Sequence, residues 1–161
     1  MRFFLDANVI IDIANETADA LHILKRLDTV GPRNCALSTV TIEELHYGVL
    51  SGPAVQKAYQ IRHLKALIGQ FAQVDFTADA ARRAAMFRWE FKASRARLGG
   101  KPPGVTDLLL AGHAASTHRV LVSADSGFAL LKRVSSCRTG ARSTAHRCHA
   151  TTALRSVSVA P

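Results

Sequence analysis

The chain has 161 residues, 48% of them hydrophobic, which suits one globular domain with its own core and requires no second domain. Its apolar runs are broken by charge within a turn or two, and no uninterrupted apolar leader precedes a small-residue cleavage site, which excludes a membrane span and a signal peptide and leaves a soluble, cytoplasmic protein as the expectation. Three cysteines, Cys35, Cys137 and Cys148, at irregular spacing exclude a disulfide framework, while a net charge of +9 makes nucleic acid the leading partner class.

Arg2 to Leu5 reads as a short buried strand that runs into a turn at Asp6-Ala7-Asn8 and an apolar helical segment from Val9 to Ala14. A second helix is expected over 18–27, and Gly31-Pro32 stops it. The next strand spans Cys35 to Ser38, followed by a helix from Thr41 to Leu50, a break at Ser51-Gly52-Pro53, and further helix from Ala54 to Phe71. A third short strand covers Val74 to Phe76.

From Thr77 to Leu98, Ala80, Ala84, Phe87, Phe91 and Leu98 recur at helical steps and form one apolar stripe. Gly99-Gly100 ends that helix, and Lys101-Pro102-Pro103-Gly104 leads to a small-residue helix from Thr106 to Thr117. A strand from Val120 to Ser123, a turn at Asp125-Ser126-Gly127-Phe128 and a last helix over 129–134 complete the pattern. Strand and helix alternate throughout, which predicts a three-layer α/β/α domain with a mostly parallel central sheet over residues 1–134.

After Val134 the composition changes to Ser, Thr, Ala and Arg without periodicity, and no Asp or Glu occurs beyond Asp125. Residues 135–161 are expected to be a disordered tail. Because composition and periodicity change at one point, a frameshift at that locus is one explanation.

Four acids, Asp6, Glu44, Asp107 and Asp125, stand where a strand or loop gives way to a helix. Each also fits a purely structural role. Thr41-Ile42-Glu43-Glu44 has the spacing of a capping box, Asp107 lies in a first helical turn where a carboxylate gains roughly 0.3–1 kcal/mol, and Asp6 and Asp125 sit in polar turns. Capping does not require the acids to follow apolar strands, yet Asp6 follows Phe3-Phe4-Leu5 and Asp125 follows Val120-Leu121-Val122-Ser123. Strand ends on one edge of an open α/β sheet converge, so these acids can share a site. Carboxylates without Cys or His suit a hard cation, Mg²⁺ or Mn²⁺.

The runs Phe4-Leu5-Asp6-Ala7-Asn8-Val9-Ile10-Ile11, Ser38 through Gly48, Thr106 through Ala114 and Leu121 through Phe128 together resemble the PIN-domain ribonucleases, and more narrowly the VapC toxins of type II toxin–antitoxin pairs. The resemblance covers about residues 1–134. It implies that Asp6, Glu44, Asp107 and Asp125 hold a catalytic Mg²⁺, with Mn²⁺ as a substitute. Glu43 is the competing register, and the Glu-Leu-x-x-Gly pattern favours Glu44. Asn8 and Ser123 match polar positions that support the acids.

The same resemblance implies a metal-dependent endoribonuclease that cleaves RNA phosphodiester bonds, a cognate antitoxin that neutralises it, and a homodimer built through the helices between Thr41 and Phe71. One metal or two stays open. VapC-like chains continue into a further strand after the fourth motif, and here the tail replaces it. That departure carries the competing function, a catalytically inactive PIN-like module that binds antitoxin or RNA.

Arg88, Lys92 and Arg95 share one face of the long helix, with Arg82, Arg83, Arg97 and Lys101 nearby; alone this fits a solvated helix face, and beside a nuclease site it is the expected RNA track. Trp89 is expected in the core or an interface and His113 to be packed; the spacing of Cys137, His146, Cys148 and His149 fits no common zinc site. A phosphatase of the haloacid dehalogenase type needs an Asp where Asn8 stands, and no P-loop motif occurs.

Overall fold

The structure, a computed structural model, describes residues 2–98, 103–125 and 127–128, and the side chains of these except 94–98. The expected helix over 129–134, the tail 135–161 with its Cys and His residues, and Lys101 lie outside the described residues.

In chain order the elements are β1 (Phe3–Leu5), α1 (Ala7–Ala14), α2 (Ala20–Val30), a 3₁₀ turn (Pro32–Asn34), β2 (Cys35–Ser38), α3 (Thr39–Ser51), a second 3₁₀ turn (Ala54–Gln56), α4 (Lys57–Ile68), β3 (Ala72–Val74), α5 (Ala78–Leu98), α6 (Val105–Ser116) and β4 (Val120–Val122). The sheet has the order β3-β2-β1-β4, and each pairing is parallel. Phe4 pairs with Ala36 on one side and Leu121 on the other, which fixes the register of the two central strands.

Side-chain alternation along these strands sorts the core into two layers. Phe4, Ala36 and Leu121 face α5 and α6, where Phe87, Phe91, Leu108, Ala111 and Ala114 cover them. Leu5, Cys35 and Leu37 face the opposite way, against Val9, Ile10, Leu45, Leu64 and Ile68 of α1, α3 and α4. Helices thus cover both faces of a parallel sheet, the three-layer α/β/α arrangement expected from the alternation of elements.

The α5/α6 contact is unusually close at Gly112. A Cβ there would stand 2.6 Å from the Ala84 Cα, so the small residues on both helices let the two backbones approach. Ala80 and Ala84 of the predicted apolar stripe are buried, Ala84 against Gly112 of this helix, as the periodicity required.

Several boundaries differ from the sequence reading, among them the end of the second helix, which runs on to Val30, and three have a clear local cause. The helix expected from Thr41 begins at Thr39, because the Ser38 hydroxyl, at the end of β2, accepts the Val40 N–H at 3.1 Å and caps it. The helix expected from Ala54 opens instead with a 3₁₀ turn behind Pro53 and becomes α-helical only at Lys57. The third strand pairs two residues earlier than its apolar pattern suggested, because the Phe76 N–H donates to the Thr39 hydroxyl at 3.0 Å and leaves the ladder.

Candidate functional site

Strand order reverses at β1, with β2 on one side and β4 on the other, and the carboxyl ends of β1 and β4 are where an open α/β sheet of this order places a site. Asp6 is the first residue after β1 and Ser123 the first after β4. The Ser123 hydroxyl donates to Asp6 Oδ2 at 2.5 Å and accepts from Asn8 Nδ2 and from the Asp125 N–H, both at 3.0 Å. One hydroxyl therefore joins the two strand ends and ties Asn8 to both acids.

Three of the four acids do cap or brace a turn, each with one oxygen. Asp6 Oδ1 accepts the Ala7 N–H at 2.8 Å, Asp107 Oδ2 accepts the Gly104 N–H at 2.6 Å, and Asp125 Oδ1 accepts the Gly127 N–H at 2.7 Å. Glu44 does not. With α3 starting at Thr39, Glu44 lies beyond the first turn and cannot complete a capping box; Thr41 donates to the Leu5 carbonyl at 3.3 Å instead. The structural explanation thus fails for Glu44, whose half-buried carboxylate has to be accounted for by the other acids around it.

The acids act on one another. Burial pushes the Asp6 carboxyl above its ordinary value, the bonds from Ser123 and Ala7 pull it back, and the charges of Asp107 and Asp125 raise it further. Burial likewise raises Glu44, reinforced by Asp6, Asp107, Glu43 and Asp125. Asp6, Glu44, Asp107 and Asp125 therefore converge from β1, α3, α6 and the β4 turn into one negative region. Among the described residues, however, no three Asp, Glu, His or Cys side chains are closed into a set that holds an ion. The donor chemistry fits a hard divalent cation: every converging group is a carboxylate, and mutual repulsion is the charge imbalance that a dication relieves.

Arg88 and Lys92 are exposed on α5, one turn apart; Arg95 lies on the same helix, with its side chain outside the described residues. Trp89 is 60% exposed, which removes it from the core expected as one of its two placements. His113 is fully buried between the rings of Phe4 and Phe76, packed as expected. Ser38, Thr39 and Thr41 anchor the start of α3 through contacts that the sequence pattern does not declare; the hydroxyl-rich run from Ser38 to Thr41 directly after a strand is its one signal. Among the described residues no helix is long and apolar enough to cross a membrane.

The chain belongs to the PIN domain family, whose match spans residues 3–134. Its fold is similar to that of VapBC from Salmonella typhimurium bound to DNA, at 27% identity and a TM-score of 0.64, covering 77% of this chain and 86% of that one. It is similar also to VapBC-5 of Mycobacterium tuberculosis, a member of the VapBC family of toxin-antitoxin systems, at 26% identity, a TM-score of 0.57 and coverage of 81% and 90%. VapBC2 from Rickettsia felis, bound to a fragment of its promoter, shares the fold at a TM-score of 0.69 and 24% identity, covering 81% and 93%. No curated protein matches.

Proposed function

We propose that this chain is a VapC-type toxin, a Mg²⁺-dependent endoribonuclease that cleaves RNA phosphodiester bonds and is neutralised by a cognate antitoxin. The observation that carries the reading is the convergence of four carboxylates at the switch point of a PIN domain, with Asp6 buried and each of Asp6 and Glu44 raised by the other acids. Asp6, Glu44, Asp107 and Asp125 would hold Mg²⁺, with Mn²⁺ able to replace it. When bound, the ion supplies Lewis acidity, which acidifies water for attack at phosphorus and offsets charge building on the phosphate oxygens.

The chain's own residues do the rest. Ser123 and the Ala7 N–H orient the Asp6 carboxylate, and Asn8 orients Ser123. Arg88, Lys92 and Arg95 gather the RNA backbone that the acids alone would repel. The antitoxin pairing is supported by the toxin-antitoxin complexes among the similar structures. A homodimer through α3 and α4 is supported by the exposure of Tyr47, Leu50, Val55 and Tyr59 on that stretch.

A second reading, an inactive PIN-like module that binds antitoxin or RNA without cutting, rests on the altered C-terminus, where the sequence after Val134 departs from the VapC pattern. Incubating RNA with the purified chain, with and without Mg²⁺, beside Asp6→Asn separates the two. The enzyme reading requires Mg²⁺-dependent cleavage by the wild type and its loss in Asp6→Asn. Equal or absent cleavage in both leaves the binding module.

A further inference from the structure

We propose that His113 is a positioning residue, which through the Ser38 hydroxyl holds the first turn of α3 and so places the Glu44 carboxylate against the other acids. This inference rests on the metal-dependent nuclease reading above. It starts from a side chain that the reaction does not use.

His113 sits in the last turn of α6, fully buried, with its ring centroid 4.7 Å from that of Phe4 and 5.6 Å from that of Phe76. An imidazole in such surroundings needs a reason, since a leucine would fill the space without burying two polar nitrogens. Its Nε2 is buried and faces the backbone of Asp75, which interacts with it only weakly. Its Nδ1 stands 2.8 Å from the Ser38 hydroxyl, and Ser38 is itself fully buried.

Ser38 has a second task. Its oxygen accepts the Val40 N–H and caps α3, so its own proton must go elsewhere, and the Nδ1 lone pair of His113 is the acceptor in reach. That assigns the ring proton to Nε2 and requires a neutral imidazole. Burial and the nearby Arg119 charge both keep the ring neutral. The cap is thereby fixed in direction as well as made.

Six residues separate Ser38 from Glu44 along α3, and six separate Asp107 from His113 along α6, each about 9 Å of helix. One helix thus presents Asp107 in its first turn and grips the base of the Glu44 helix with its buried last turn. Thr41, in the same turn of α3, donates to the carbonyl of Leu5, one residue before Asp6. Glu44 is therefore referenced to Asp107 through His113 and Ser38, and to Asp6 through Thr41, although it has no cap of its own.

The test uses the full chain and reads Mn²⁺ binding without RNA by calorimetry, then kcat and KM separately, then thermal unfolding. His113→Leu is expected to stay folded, because leucine fills the apolar space between Phe4 and Phe76, yet to bind Mn²⁺ about tenfold or more weakly. Its kcat falls while KM for RNA stays, since the basic face of α5 is untouched. His113→Asn, which restores an acceptor towards Ser38, recovers most of the loss. Ser38→Ala shows the same loss of Mn²⁺ affinity, and the double variant His113→Leu/Ser38→Ala adds little to it.

A folded His113→Leu that binds Mn²⁺ as tightly as the wild type and keeps its kcat overturns the proposal and leaves the nuclease reading standing. If His113→Leu does not fold, Ser38→Ala decides by the same readouts. If the wild type neither binds Mn²⁺ nor cuts RNA, the nuclease reading falls and this inference falls with it.

Discussion

Ser123 Oγ stands 2.5 Å from Asp6 Oδ2 and links residues 117 positions apart, one at the end of β4 and one at the end of β1. Because the strand order reverses between these two strands, this bond lies at the sheet edge where the acids gather. Ser123→Ala leaves Asp6 buried with one donor fewer, and a hydrogen bond to a charged group is worth about 1.5–3 kcal/mol. The expected outcome is a stability loss of about that size in chemical denaturation, with divalent-ion affinity reduced about 10- to 100-fold by calorimetry. Unchanged values for both measurements would remove Ser123 from the site.

Asp6→Asn separates stability from activity. In the wild type without a divalent ion, Asp6 carries the combined cost of burial and of repulsion from Asp107 and Asp125, and a neutral amide removes both while keeping one of the two bonds to Ala7 and Ser123. The variant is expected to melt no lower than the wild type in EDTA and to lose cleavage. Saturating Mg²⁺ raises the wild-type melting temperature by linkage and leaves the variant where it was. A Mg²⁺-induced rise of equal size in both proteins would show that the ion binds elsewhere.

The raised carboxyls also fix a pH dependence. A folded state whose acids hold protons more tightly than the unfolded chain loses stability as pH rises, from the ordinary values of 3.8 for Asp6 and 4.5 for Glu44 up to their raised folded values. In EDTA the wild type is therefore expected to lose this contribution across that window, and Asp6→Asn to lose less of it. Urea midpoints across the acid range measure the difference, and identical profiles would contradict the electrostatic account.

Gly112→Ala tests the close contact of α5 and α6. Alanine favours a helix over glycine by roughly 1 kcal/mol, but its Cβ would meet the backbone of Ala84, which cannot turn aside as a side chain does. The overpacking cost, typically about 1–3 kcal/mol, exceeds that gain, so the variant should be destabilised. Adding Ala84→Gly removes only the contact with the Ala84 Cβ, so it should restore part of the loss. A Gly112→Ala variant that melts above the wild type would refute the close approach.

What the sequence made legible were the features with a local signature. The three helix-bracketed acids Asp6, Asp107 and Asp125, the stripe Ala80–Ala84–Phe87–Phe91 and the strands β1, β2 and β4 each follow from a period or a turn that neighbouring residues declare. What it concealed depends on contacts between distant segments. Thr41 looks like a capping residue because Glu44 follows three positions later, and only the approach of the Leu5 carbonyl reveals that its hydroxyl is spent on β1 while Ser38 does the capping. Trp89 looked apolar enough to bury, but its position on α5 is away from the stripe that packs on α6, and no local pattern distinguishes one apolar residue off the stripe from one on it.

The buried imidazole predicts a response at mildly acid pH that runs against that of the carboxylates. His113 is held below its ordinary value near 6.5, first by burial and then by the Arg119 charge, against a smaller upward pull from Asp75. As pH falls through that value the unfolded chain takes up a proton while the folded ring stays neutral, so stability drops, by at most about 1.4 kcal/mol per pH unit, until the lowered folded value is reached. Asp6 and Glu44 gain stability in the same direction of pH, so the wild-type curve alone mixes the two. Subtracting the profile of His113→Leu isolates the ring: the wild type should lose stability relative to the variant from about pH 7 to about pH 5. A constant difference across that range would mean that His113 takes up its proton as readily folded as unfolded, which its burial between Phe4 and Phe76 forbids.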